Sequence, residues 1–166
     1  MLRRFAVALV LACAPAPACS REAEPGVPVL PPIDRIQVEK ARRTMTLYAQ
    51  GRVAHVITGI QLGDAPVGHK QFQGDERTPE GRYAIDFFNP DSAFHLSMRI
   101  SYPRPQDRAD AEAQGRNPGG DIFIHGQPNA LPFGRMTGDW TDGCIALSNA
   151  EMDALWNAVT DDVAVD

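Results

Sequence analysis

The chain has 166 residues, 22% charged and 43% apolar, with a formal net charge of -5. That length favours one domain with its own core, and an acidic balance without basic clusters excludes nucleic acid as a natural partner. The 14 glycines and 14 prolines point to many turns and hence to many short strands.

Residues 1–18 read as a signal peptide. Arg3 and Arg4 form its positive end, Phe5 to Ala12 its apolar stretch, and small residues and prolines follow. Eight apolar residues are too few for a permanent span of about 20. Cleavage after Ala18 gives plain secretion; a lipid on Cys19 or Cys13 is the alternative, and would be the chain's one link to a membrane. Both place the domain outside the cytoplasm. Loss of Arg3 and Arg4 takes the net charge from -5 to -7. Residues 19–32 form a Pro-rich linker expected to be extended.

The domain, residues 33–166, opens with alternating runs. Arg35 to Glu39, Thr44 to Ala49 and Arg52 to Leu62 predict three strands in an antiparallel meander, turned at 40–43 and at Gln50-Gly51. Gly63 to Gly81 is a long loop, of the kind that is usually functional when ordered. Strands resume at Arg82 to Phe88 and at Phe94 to Tyr102. In the second, Phe94, Leu96, Met98, Ile100 and Tyr102 face one way and His95, Ser97, Arg99 and Ser101 the other. Arg104 to Gly115 reads as a short surface helix or loop.

The stretch from Ile122 to Leu147 carries the chemistry. The apolar run 122–124 stops at His125-Gly126, and Asp142-Gly143-Cys144 leads into a second run, 145–147. Ser148 to Glu151 is a capping box, followed by Met152, Leu155, Trp156 and Val159 at helical spacing. Residues 163–165 predict a last short strand. The fold class is mainly β, a sandwich or open barrel with one or two short helices.

An imidazole and a thiol at the ends of neighbouring strands are what a cysteine nucleophile and its general base need. In the plainer reading Cys144 is a small buried hydrophobe or pairs with Cys19, and His125 is a satisfied strand-end histidine. Backbone N–H groups around Asp142, Gly143 and Cys144 are candidate oxyanion donors. For the imidazole's second nitrogen, the Gly126 carbonyl is the nearest acceptor and Asp142 a rival. A thiolate–imidazolium pair predicts that Cys144 titrates below the roughly 8.5 of a free thiol. Trp140 either stacks on substrate or wedges its loop, and Thr141 and His95 are further candidates for substrate binding. His55 and His69 read as surface residues. No HExxH or paired-Cys spacing suggests zinc, and no metal or cofactor is expected. Asp75 and Glu80 read as turn residues of the long loop.

The same stretch resembles the L,D-transpeptidase catalytic domain (YkuD-type). The carrying residues are His125-Gly126, Gly134 and Thr141-Asp142-Gly143-Cys144-Ile145, with Lys70, Gly74-Asp75 and Thr78 to Tyr83 upstream. It is most similar to the YafK-like subgroup, through Asp139 to Leu147. Asp142 stands where many members have His, and Ala146 where many have Arg or Asn. The resemblance implies acyl transfer on peptidoglycan stem peptides through a Cys144 thioester, with His125 as acid and base. It also admits an envelope protein as acyl donor or acceptor, and no metal. Two alternatives stay open: a thiol amidase on the same scaffold, and a non-catalytic wall-binding module.

Overall fold

The computed structural model describes residues 28–166; the signal-peptide residues, Cys13 and Cys19 lie outside them. Leu30 is half-buried against the core and Ile33 is buried in it. The alternating runs form β1 (Arg35–Glu39), β2 (Thr44–Ala49) and β3 (Arg52–Thr58), paired antiparallel. Alternation sends every second side chain inward, and Ile36, Met45, Leu47 and Ile57 are accordingly buried. Gln50 and Gly51 turn the β2–β3 hairpin with φ 53° and 72°. Two positive φ angles in succession match the right-handed twist of the flanking strands.

Five further strands complete the sheet: β4 (Tyr83–Asn89), β5 (Ser97–Ile100), β6 (Phe123–His125), β7 (Ile145–Ala146) and β8 (Ala164–Val165). All eight belong to one open sheet, in the order β3-β2-β1-β8-β4-β5-β6-β7. Only β1–β8 and β6–β7 run parallel. Just beyond β3, Gln61 and Ala146 exchange two backbone hydrogen bonds of 3.0 and 2.8 Å. The chain leaving one edge strand thereby reaches the other edge.

Two helices complete the fold. α1 (Pro105–Ala113) realises the helical option at 104–115, with the Asp107 carboxylate accepting from the Arg104 amide at 2.8 Å. α2 (Asn149–Ala158) begins at the Ser148–Glu151 capping box and buries Met152, Leu155 and Ala158. Trp156 stands edge-on to Phe88 at 5.0 Å between ring centres.

Two strands are shorter than their apolar patterns. β3 stops at Thr58 because Gly59 turns left-handed, with φ 69°. β5 starts at Ser97, since His95 sits at φ 65° and breaks the extended run. The two-faced pattern proposed for 94–102 therefore fails at its start: Phe94 is exposed, and Ser97, assigned to the polar face, is buried.

Candidate functional site

β6 lies between β5 and β7. Its parallel register sets Ile124 opposite Ile145 and His125 opposite Ala146. Alternation gives Phe123 and His125 one face of the sheet. Cys144, one residue before β7, lies beside Phe123 of β6. The half-buried thiol accepts a hydrogen bond from the Phe123 amide at 3.4 Å and donates to the Asp121 carbonyl at 3.6 Å.

His125 is buried, and its Nδ1 lies 2.6 Å from the Gly126 carbonyl. A carbonyl can only accept, so Nδ1 carries the proton and Nε2 keeps its lone pair. Asp142 is exposed on the rim and does not take this place. Burial lowers the imidazole's pKa, and the Gly126 bond only partly opposes that. Burial likewise raises the Cys144 thiol, and the Asp142 and Asp121 charges add to this; the Phe123 amide and Lys70 pull the other way. The expectation of a low-pKa thiolate paired with imidazolium is thus corrected. Withdrawal from water disfavours the charged form of each group, the thiolate and the imidazolium alike.

The glycines act through close packing. A methyl on Gly126 would stand 2.6 Å from Asn149 Oδ1 and 2.8 Å from His95 Cβ. The Gly126 amide is already engaged by the Phe94 and Leu96 carbonyls, at 3.0 and 3.1 Å. Gly126 therefore orients the imidazole through its carbonyl and offers no oxyanion donor. Gly143 has φ 118°, and a Cβ added there would stand 2.5 Å from the Arg77 carbonyl oxygen. Its amide faces Thr141 Oγ1 at a long 3.3 Å.

Thr141 is buried, and its hydroxyl donates to the Cys144 carbonyl at 2.8 Å. It closes the 141–144 turn, so the substrate-binding reading of its side chain is withdrawn. The His95 ring is likewise taken, lying 2.7 Å from Asp153 of α2. His69 Nδ1 accepts from the Glu80 amide, leaving Nε2 to donate to buried Asp107. Trp140 does reach the site: its ring centre is 5.6 Å from that of His125 and 5.7 Å from that of Phe94.

Several organising residues carried no periodic signal. Lys70 and Asp75 form a buried ion pair at 2.8 Å, and Asp75 also accepts from the amides of Gln71, Phe72 and Arg77. Buried Gln127 bridges Gln61 Oε1, the Leu147 carbonyl and the Met136 amide, while Gln61 Nε2 binds the Met136 and Gly138 carbonyls. Asp139 pairs with Arg43 and accepts from the Leu62 amide at 2.9 Å. These bonds fasten the 127–140 loop beside His125. Among the described residues no three or more His, Cys, Asp or Glu side chains converge as a metal site.

A mainly β domain with a thiol and an imidazole at two neighbouring parallel strand ends defines the class. The chain belongs to the L,D-transpeptidase catalytic domain family (YkuD), which matches residues 33–165. It is 28% identical over 130 residues to the L,D-transpeptidase-family protein YafK of Escherichia coli K12. That alignment spans 75% of this chain and 46% of YafK, so the chain spans about half the length of that relative. The helical cell shape determining protein Pgp2 of Campylobacter jejuni superposes with a TM-score of 0.62 at 28% identity, over 82% of this chain and 49% of Pgp2. An L,D-transpeptidase from Xylanimonas cellulosilytica shares the fold, with a TM-score of 0.51 at 16% identity over 83% of this chain and 61% of that one.

Proposed function

We propose that this domain is an exported, cysteine-dependent L,D-transpeptidase acting on peptidoglycan stem peptides. The observation that supports the reading is the β6–β7 pairing: Cys144, just before β7, bonds the Phe123 amide of β6, and at the end of β6 His125 Nδ1 bonds the Gly126 carbonyl. Family membership supports the substrate class and the envelope location.

Chemistry starts from neutral groups. As Cys144 Sγ attacks a stem-peptide carbonyl, His125 Nε2 takes the thiol proton, so no free thiolate has to persist in a buried site. The tetrahedral oxyanion faces the amides of the 142–144 turn. Imidazolium then protonates the leaving amine, the C–N bond breaks, and a thioester remains on Cys144. An acceptor amine, from another stem peptide or an envelope protein, attacks the thioester carbonyl and gives its proton to His125; the C–S bond breaks and His125 returns the proton to the departing Cys144 sulfur.

Muropeptides incubated with the protein and read by mass spectrometry test this. Cross-linked dimers are expected, and Cys144→Ala should abolish them while leaving the melting temperature near wild type. His125→Ala should also remove turnover. Shortened peptides without dimers would assign the domain to hydrolysis. Neither product, together with no carbapenem adduct on Cys144, would leave a wall-binding module.

A further inference from the structure

Three rings meet at His125. The Phe94 centroid lies 4.9 Å from that of the imidazole and the Trp140 centroid 5.6 Å, with 5.7 Å between Phe94 and Trp140. They arrive from separate segments, each held by its backbone. The Phe94 carbonyl accepts from Gly126, and the Phe94 amide donates to Ser92 Oγ. The Trp140 amide donates to the Leu62 carbonyl at 3.0 Å, and its neighbour Asp139 is paired with Arg43. The rings are therefore delivered to the imidazole by fixed main chain.

One group in this cluster is out of balance. Trp140 Nε1–H is sealed from solvent and has no oxygen or nitrogen acceptor. A buried donor left unmatched costs about 1–3 kcal/mol, so its surroundings need an account. The π faces of the two rings packed against the indole are the candidate acceptors. Phe94 is tilted to the indole at 42°, whereas the imidazole stands edge to face with it at 71°. Edge-to-face geometry is what an N–H directed at a ring requires.

We propose that Trp140 is a positioning residue for His125: its indole N–H is directed at the imidazole face, and with Phe94 it clamps the ring in the one orientation that presents Nε2 on the Cys144 side. A neutral imidazole face accepts such a contact; an imidazolium, bearing positive charge, repels it. Trp140 thus favours the form that takes the thiol proton and promotes release of that proton to the leaving amine. The titratable groups on the surrounding elements are Cys144 before β7 with Asp142, Asp121 and Lys70, whose charges act on it, and His95 with its partner Asp153 of α2 behind Gly126. None of them supplies the Nδ1 contact, which is backbone. The consequence for turnover rests on the acid–base reading of His125; the contact itself can be tested without substrate.

The experiment is an NMR titration of the full domain. In the wild type, the Trp140 indole N–H resonance should be shifted upfield by the ring beneath it and should move with the His125 titration. In Trp140→Phe, which keeps a ring and removes the donor, the His125 midpoint should rise; in Phe94→Leu it should move less. In turnover, Trp140→Leu should lower kcat at least ten-fold with little change in KM, and Trp140→Phe should recover part of it. An indole resonance indifferent to His125, in the unmutated protein, overturns the proposal even if the variants fold poorly. So does an unchanged His125 midpoint in Trp140→Phe. If the contact is seen but the wild type turns over no muropeptide, the acid–base reading fails while the contact stands.

Discussion

The β1–β2–β3 meander and the β5–β6–β7 corner are built by different means. In the meander, strands of five, six and seven residues pair through continuous backbone ladders. In the corner, strands shrink to four, three and two residues. There, order comes from individual side chains bound to backbone groups of the loops: Gln61, Gln127, Asp139, Thr141 and Asn149 each hold one or more loop positions. A ladder spreads its stability over many equivalent bonds, so one altered side chain matters little. A corner fixed by individual contacts places a thiol and an imidazole accurately, but each contact can be removed alone. Substitutions of the same kind should therefore cost more near the site than in the meander.

The largest difference should be between two ion pairs. Asp75→Asn leaves Lys70 buried without its counter-charge and weakens acceptance from three amides. Breaking a buried pair costs about 3–5 kcal/mol. Glu39→Gln, at the end of β1 in the meander, removes the half-exposed partner of Arg42 and should cost no more than about 1 kcal/mol. Denaturant midpoints compare the two. Burial pushes the Asp75 carboxyl up, but the Gln71, Arg77 and Phe72 amides and Lys70 outweigh it and hold it below its ordinary value. A depressed carboxylate adds stability above the ordinary carboxylate range, and that stability is lost as pH falls through the folded-state value. The wild-type melting temperature should accordingly drop on acidification below about pH 4, and Asp75→Asn should flatten that slope. An equal slope in the variant would show that Asp75 is not the linked group.

Two glycines give the next contrast. Gly143 has φ 118°, and a methyl there would stand 2.5 Å from the Arg77 carbonyl oxygen. Gly51, in the β2–β3 turn, has φ 72° and nothing within 4 Å of the same methyl. Both alanines pay the left-handed strain of about 1–2 kcal/mol, but only Gly143→Ala must also push the main chain of 77 away. Gly143→Ala should cost at least about 3 kcal/mol and slow alkylation of Cys144. Gly51→Ala should show the strain alone and leave alkylation untouched. Equal unfolding midpoints for the two would remove the close packing under the nucleophile turn from the account.

Gln127→Leu tests the loop fastening. It strips partners from the Met136 amide, the Leu147 carbonyl and Gln61 Oε1. Unmatched buried groups cost about 1–3 kcal/mol each, reduced where water can enter beside the exposed Met136; a net loss of about 2 kcal/mol is expected. Hydrogen exchange at Met136 should accelerate while that in β2 stays unchanged. Acceleration in both regions alike would mean that the loop and the meander unfold as one unit.

The same contrast explains what could be read from the sequence. Alternation at 35–39 and 44–49, the Ser148–Glu151 box and the apolar stripe of α2 are local patterns, and each marks its element. The neighbouring strands β6 and β7 are legible as apolar runs bounded by glycines, Gly126 after the first and Gly143 before the second. The edges of β3 and β5 are not, since left-handed φ at Gly59 and His95 leaves no mark on an apolar count. Gln61 and Gln127 are 66 residues apart and satisfy mostly backbone groups, so neither predicts the other. The direction of the Cys144 titration is not legible in the sequence for a related reason. Burial decides it, and burial at a strand end depends on what packs there from elsewhere in the chain.

The smallest effect should come from the meander's outer strand. Val56 on β3 is 43% exposed and sits opposite Thr46 of β2. Threonine keeps the β-branched shape that suits a pleated, half-covered surface, and its hydroxyl can reach water here without stranding a buried group. Val56→Thr should change stability by less than about 0.5 kcal/mol and leave Cys144 alkylation at the wild-type rate. Should it instead slow alkylation, disturbance would be passing from β3 through the Gln61–Ala146 bridge to β7. The ladder and the corner would then be one mechanical unit, and the division of labour argued from their bonding would not hold.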